Sequence, residues 1–164
     1  MSTAKQQPDT VVQIAKNFKD VGISLSKLKK LVKTVCARFD STVAVVSIAI
    51  VGDAEIRKMN KRFLNRNCST DVISFDLSDA NRQSAIANRK LFELVVNGEM
   101  AARQAKQRGH SGEAELALYI THGLLHNLGF DDSTKKKAQK MHRAEDEILQ
   151  QFGYGLVYNK NIIC

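Results

Sequence analysis

Thr42-Val-Ala-Val-Val-Ser-Ile-Ala-Ile-Val51 is the stretch on which the fold turns. It is dominated by β-branched and small apolar residues, which suits a strand buried inside a sheet. Downstream, Asp53 caps a short helix over Ala54–Phe63. Asp71–Leu77 (DVISFDL) alternates apolar and polar residues as a half-buried strand does. Residues 78–90 are polar and read as a loop, followed by a strand over Leu91–Asn97 and a helix over Glu99–Arg108. Two longer helices close the chain. Gly112–Leu128 carries Leu116, Tyr119, Ile120 and Leu124 at helical spacing and is ended by Gly129, while Ser133–Phe152 starts on Ser133 or Thr134 and stops at Gly153. Upstream, Ser24–Phe39 places Leu25, Leu28, Leu31, Val32 and Val35 on one face, with Ser24 or Ser26 as its cap, and Val11–Ala15 has the composition of an edge strand. Four strands, with a helix between the first pair and helices after the last, predict an α+β fold with a small, mostly four-stranded mixed sheet packed against helices.

At 164 residues the chain is one domain by length, and its 43% hydrophobic and 26% charged residues are globular values that exclude wholesale disorder. We expect a flexible N-terminus over 1–10, a single domain over 11–153 and a C-terminal tail over 154–164. No apolar run approaches the roughly 20 residues needed to span a bilayer, and the polar N-terminus lacks a signal peptide's apolar stretch. A cytoplasmic protein without a membrane partner is the expectation. Cys36, Cys68 and Cys164 are odd in number with no CxxC pairing, so neither a disulfide framework nor a disulfide-linked partner is expected. The formal net charge of +8 suits phosphate-bearing partners, RNA and DNA first among them.

The chemistry concentrates in His122-Gly-Leu-Leu-His126-Asn-Leu-Gly129-Phe-Asp131-Asp132. Residues four apart on a helix share a face, so His122 and His126 can present both imidazoles to one ion. Gly129 lets the backbone leave the helix through a left-handed conformation, which could swing Asp132 back toward them. Two imidazoles and a carboxylate form a normal zinc shell with a fourth position open to water, whose pKa the ion would lower toward ~7. The expected cofactor is one divalent metal ion, zinc by preference, on a helix near the C-terminus. Asp131 is the rival third ligand; it could instead orient a histidine, and either aspartate could cap the final helix. Gly123 occupies the place of the catalytic glutamate in HExxH metalloproteases, which demotes peptide hydrolysis in favour of a phosphodiester substrate. His110 and His142 read as exposed, and the Lys135-Lys136-Lys137 run as a solvated helix start.

These residues resemble the YbeY family, the metal-dependent endoribonucleases of ribosomal RNA maturation. The family hallmark reads approximately HGxLHLxGYDH, against HGLLHNLGFDD at 122–132. A second family segment near PTDVLSF is similar to STDVISF at 69–75, and MNKRF at 59–63 takes the place of a typical LNxxY. The likeness covers roughly 11–153. It implies His122 and His126 as metal ligands, with Asp132 where a third histidine is usual. It also implies an arginine acting on the RNA phosphate beside the ion. Leu64 stands at that place, flanked by Arg62 and Arg66, so Arg66 is the candidate catalytic residue and both arginines are candidate nucleic-acid contacts. Phe92-Glu93, where Gly-Asp is usual, and Asn127, where an apolar residue is usual, are smaller departures. The implied activity is a metal-dependent, single-strand-selective endoribonuclease of rRNA processing and ribosome maturation, with rRNA and the ribosome as partners. The alternative is a ribosome- or RNA-associated protein of the same fold whose cleavage is weak or lost.

Overall fold

The computed structural model describes residues 10–17, 22–39, 44–78, 90–155 and 157. Its elements are β1 (Val11–Lys16), α1 (Leu25–Arg38), β2 (Ala44–Val51), α2 (Asp53–Leu64), β3 (Val72–Asp76), β4 (Lys90–Asn97), α3 (Gly98–Arg108), α4 (Gly112–Asn127) and α5 (Lys135–Gln151). One four-stranded sheet runs in the order β1-β2-β4-β3. β1 pairs parallel with β2 and β2 parallel with β4, while β3 joins β4 antiparallel, with Ser74 opposite Leu94. The expected α+β fold with a mixed sheet is therefore the observed one. β1 lies at the sheet edge, as its composition suggests.

The central position of β2 explains its unbroken apolar run. Val46, Ile48 and Ile50 join Phe92, Leu94 and Val96 of β4 in the main core, on the face covered by α1 and α4. Val51, with Val95 and Ile73, belongs to a second cluster around Ile56 of α2. Side chains alternate across a strand, so a strand packed on both faces needs apolar residues at both parities. Helix α4 is the hub: it packs against α1, α3, α5, β3 and β4. Beyond Gly153 the chain stays attached, with Val157 buried in the main core and the Tyr154 hydroxyl donating to Glu113 at 2.8 Å.

Several expected boundaries shift. Residues 42 and 43 of the expected strand, 79–89 of the expected loop and most of 1–10 lie outside the described residues. The final helix begins at Lys135 on an N-cap at Thr134, and the first is capped by Ser24. Asp53 is not a cap. Gly52 is the N-cap of α2, without a side-chain bond, and Asp53 is the first helical residue. Its carboxylate turns outward from α2 to accept from Ser69 Oγ at 2.9 Å, Asn97 Nδ2 at 2.7 Å and Arg103 Nη1 at 2.9 Å. A helix start and a tertiary anchor draw on the same residue types, so local sequence could not separate them. Cys36 is a free thiol sealed in the core, its pKa pushed up to about 11 by burial. Cys68, by contrast, is disulfide-bonded. Among the described residues no helix is long and apolar enough to cross a membrane.

The Asp53 network fastens α2, the 69–71 turn, β4 and α3 at one corner. The Arg103 hydrogen bond, with those from Asn97 and Ser69, outweighs burial and holds the Asp53 pKa down to about 2. A lowered carboxylate pKa contributes stability that is complete above the ordinary value of about 4 and disappears as pH falls toward the folded value. Asp53→Asn should therefore cost about 1 kcal/mol at pH 7, given the partial exposure of the pair. The gap between variant and native protein in urea unfolding should close as pH drops to about 2. A gap that persists there would remove the ionic part of this account.

Candidate metal centre

His122 and His126 lie one turn apart near the end of α4, half-buried. The helix ends in a Schellman turn. Gly129, at φ 99°, donates its N–H to His126 O at 3.1 Å, and Phe130 donates to Leu125 O at 2.9 Å. The reversal returns the next residues along the histidine face. Asp132 Oδ2 arrives 3.8 Å from His122 Nε2 and 3.6 Å from His126 Nε2. Asp131 is turned elsewhere: it accepts from Ser133 N at 2.9 Å, Ser133 Oγ at 2.5 Å and Lys137 Nζ at 3.2 Å, and the Ser133 bonds hold its pKa down to about 2. Between the two aspartates, geometry selects Asp132 to share the histidine site.

The hydrogen bonds on the far ring nitrogens decide what this cluster can hold. His122 Nδ1 donates to Glu145 Oε1 at 2.6 Å, and His126 Nδ1 donates to the Phe130 carbonyl at 3.2 Å. Both partners are acceptors, which leaves each neutral imidazole with a lone pair on Nε2. Those two Nε2 atoms face each other at 3.1 Å. Two lone pairs at that distance need a cation between them, a proton or a metal ion. Burial works against a charged His122, but the Glu145 hydrogen bond and charge, with the charges of Asp71 and Asp132, outweigh it and raise its pKa. Tetrahedral zinc with bonds of about 2.0–2.1 Å places its ligand atoms about 3.3 Å apart, a spacing bracketed by the three separations of 3.1, 3.6 and 3.8 Å. Among the described residues this is the His/Cys/Asp/Glu group able to hold a metal ion.

The family model described as Endoribonuclease YbeY matches residues 13–153. The chain belongs to the YbeY family. Among similar proteins, the Endoribonuclease YbeY of Macrococcus caseolyticus is 37% identical over 112 residues, which is 67% of this chain and 73% of that protein. That of Caldicellulosiruptor bescii is 31% identical over 143 residues, 82% of this chain and 90% of its own length. Other relatives are longer, the matched part making up 55% and 36% of two of them. The solution structure of TM1509 from Thermotoga maritima superposes with a TM-score of 0.60 over 87% of this chain and 89% of that one. At 21% identity it is a likeness of fold.

The second YbeY block, Ser69 to Phe75, is fastened directly beside the histidines. Asn97 is wholly buried; its Nδ2 donates to Ser69 Oγ at 3.0 Å and the Thr70 carbonyl at 3.1 Å, and its N–H donates to the Asp71 carbonyl at 2.8 Å. Asp71 Oδ1 then accepts from Val72 N at 2.8 Å. The start of β3 is thereby fixed with Asp71 close enough for its charge to act on His122.

Arg62 and Arg66 come from the end of α2 and the turn that follows it, whereas the His-His-Asp group comes from α4 and the turn after it. Arg62 closes the last turn of α2, with its guanidinium 5.3 Å from the Phe63 ring centroid, and Arg66 follows the left-handed Asn65. Leu64 is 50% exposed between them. His110 and His142 are half-buried rather than exposed. His110 Nε2 lies 2.5 Å from Glu115 Oε1, and His142 Nδ1 lies 3.1 Å from Glu145 Oε2. Both glutamates are fully buried. Glu145 falls within the Met141, Ala144, Ile148 and Leu149 stripe of α5. A glutamate inside an apolar stripe was the available signal for it.

Gly123 explains the absence of a glutamate after His122. A Cβ there would lie 2.9 Å from Val72 Cγ2 and 3.0 Å from Leu94 Cδ2. Helix propensity alone would make Gly123→Ala stabilising by about 1 kcal/mol. Overpacking should reverse the sign, giving a loss of about 1–3 kcal/mol in denaturant unfolding, and Gly123→Glu should not yield folded protein. A stabilised Gly123→Ala would show that α4 can back away from the sheet.

Proposed function

We propose that this chain is a metal-dependent endoribonuclease that cleaves single-stranded segments of ribosomal RNA during ribosome maturation, with His122, His126 and Asp132 as its metal ligands. The observation that carries this reading is the pair of Nε2 atoms held 3.1 Å apart with the Asp132 carboxylate beside them. A divalent ion there, zinc by preference for two imidazoles and a carboxylate, supplies Lewis acidity toward a phosphoryl oxygen and acidifies water. The protein's own share is to hold both rings rigid from behind and to keep Asp132 on the outer side, where RNA can approach. Arg62 and Arg66 contact the RNA backbone, Arg66 as the residue that meets the reacting phosphate; a guanidinium fork suits phosphate oxygens. Beside the site, a cavity of about 390 Å³ is lined by Leu128, Gly129, Phe130, Asp131, Lys137 and Lys140. It offers an aromatic ring and two ammonium groups, the surface that suits a nucleotide of single-stranded RNA. Partners in this reading are rRNA and the ribosome, and the place of action is the cytoplasm.

Cleavage of a labelled single-stranded RNA by metal-loaded protein tests the proposal. His126→Ala should lower the rate on the order of a thousandfold, the several kcal/mol a metal ion contributes. Cleavage at the same rate by both proteins would assign the activity to a contaminant. RNA affinity should also fall steeply with salt, as backbone contacts require.

The exposed Leu64 favours a second reading, an RNA-associated protein of this fold with weak cleavage, because α2 ends in an apolar side chain where the family resemblance implies an arginine. In that case Leu64→Arg combined with Asp132→His should raise cleavage at least several-fold. An unchanged rate would favour the native Arg66 and Asp132 as sufficient.

A further inference from the structure

Helix α5 contributes no atom to the His-His-Asp group, yet it reaches it. Glu145 is fully buried, and it is shared by two histidines: Oε1 takes the His122 Nδ1 proton at 2.6 Å and Oε2 faces His142 Nδ1 at 3.1 Å. A carboxylate with no exposure is costly unless both oxygens are paired, so this arrangement needs both histidines. Packing of Met141, Ala144, Ile148 and Leu149 around it fixes the backbone from which Glu145 projects. The histidines differ in position. His122 lies on α4 with its second nitrogen in the metal cluster, whereas His142 lies on α5, three residues before Glu145, with its side chain 20% exposed.

We infer that Glu145 is a positioning residue for the metal ion and that His142 locks Glu145 in place, an inference that rests on the metal-binding reading above. The physical argument has three steps. Accepting the His122 Nδ1 proton selects the tautomer whose lone pair is on Nε2, the atom facing His126. The buried negative charge also makes that lone pair a stronger donor to a cation. Finally, a carboxylate bonded through one oxygen can rotate about its terminal bond, while one held through both oxygens cannot. His142 supplies the second hold, from a neighbouring turn of the same helix. Glu145 acts through His122 and does not itself touch substrate or ion.

The test uses the full chain, with Glu145→Gln, His142→Ala and His126→Ala beside the native protein, and zinc as the probe. Long-range proton–nitrogen spectra of the metal-free native protein should show His122 protonated at Nδ1, a readout independent of any bound ion. Zinc affinity, measured by competition with a chelating dye, should fall about 10–100-fold in Glu145→Gln, the usual effect of losing such a partner. His142→Ala should lose less, about tenfold, and both variants should stay folded without metal, with a lowered melting temperature where a buried oxygen loses its partner. The visible spectrum of the cobalt form should shift in both, because a change in ligand orientation alters it and a purely structural role does not. Native affinity in both variants, or His122 protonated at Nε2 alone, would overturn the inference. Should Glu145→Gln fail to fold, the native spectra and His142→Ala decide it. If native protein and His126→Ala bind zinc equally, the metal-binding reading itself fails and the positioning role falls with it, an outcome distinct from loss in His126→Ala alone.

Discussion

The close approach of α4 to the sheet at Gly123 is the constraint on which the rest of this molecule depends. With no Cβ at that position, the helix settles against Val72 of β3 and Leu94 of β4 at distances a side chain would forbid. That contact fixes both the height and the rotation of α4. Its flanking residues, one on either side of the contact, are then no longer free to choose their direction. His122 must leave the helix beside the start of β3, where the charge of Asp71 reaches it. His126, four residues on, shares the face. A glutamate at 123 would demand a different separation of helix and sheet, so the peptidase pattern and this packing exclude each other.

Placing two imidazoles so rigidly creates an electrostatic problem that the protein resolves in one direction. Each ring is held from behind by an acceptor, Glu145 for one and the Phe130 carbonyl for the other, and each therefore presents a lone pair to its neighbour. Neutral rings in these tautomers repel at 3.1 Å. The Glu145 hydrogen bond and charge raise the His122 pKa against the effect of burial, and so favour holding a proton there. A metal ion would relieve the repulsion by taking both nitrogens and the Asp132 oxygen together, with release of any proton held there.

Much of this was legible in the sequence, and the gaps have identifiable causes. The apolar run ending at Val51 announced a buried strand, and the four-residue spacing of His122 and His126 announced the shared face. Gly129 announced the turn that returns Asp132. What could not be read was any feature made by residues distant in the chain. Asp53 looks like a helix cap from its neighbours alone, yet its partners Ser69, Asn97 and Arg103 come from three other segments. His142 and His110 looked exposed because nothing nearby resembles a ligand set, while their buried partners, Glu145 and Glu115, are ordinary helix residues by type. Choosing Asp132 over Asp131 required the turn itself: the two are neighbours with the same chemistry, and only hydrogen bonds to Ser133 and Lys137 tell them apart.

That last distinction also explains why two adjacent aspartates are useful. The third member of the cluster lies on the segment between α4 and α5, where no helix fixes its direction. Asp131 supplies the missing constraint: it bonds the Ser133 backbone and hydroxyl and pairs with Lys137 in the first turn of α5. Pinned at Asp131, and by the Schellman turn on the other side, the chain has little freedom left at residue 132. Asp131 is directed toward Ser133 and Lys137, and Asp132, next in the chain, faces the histidines. One aspartate thus sets the backbone and the other completes the cluster. Two members of the site are fixed by helix packing and the third by a local turn, and it is the third that remains open to solvent, on the side from which a bulky substrate must arrive.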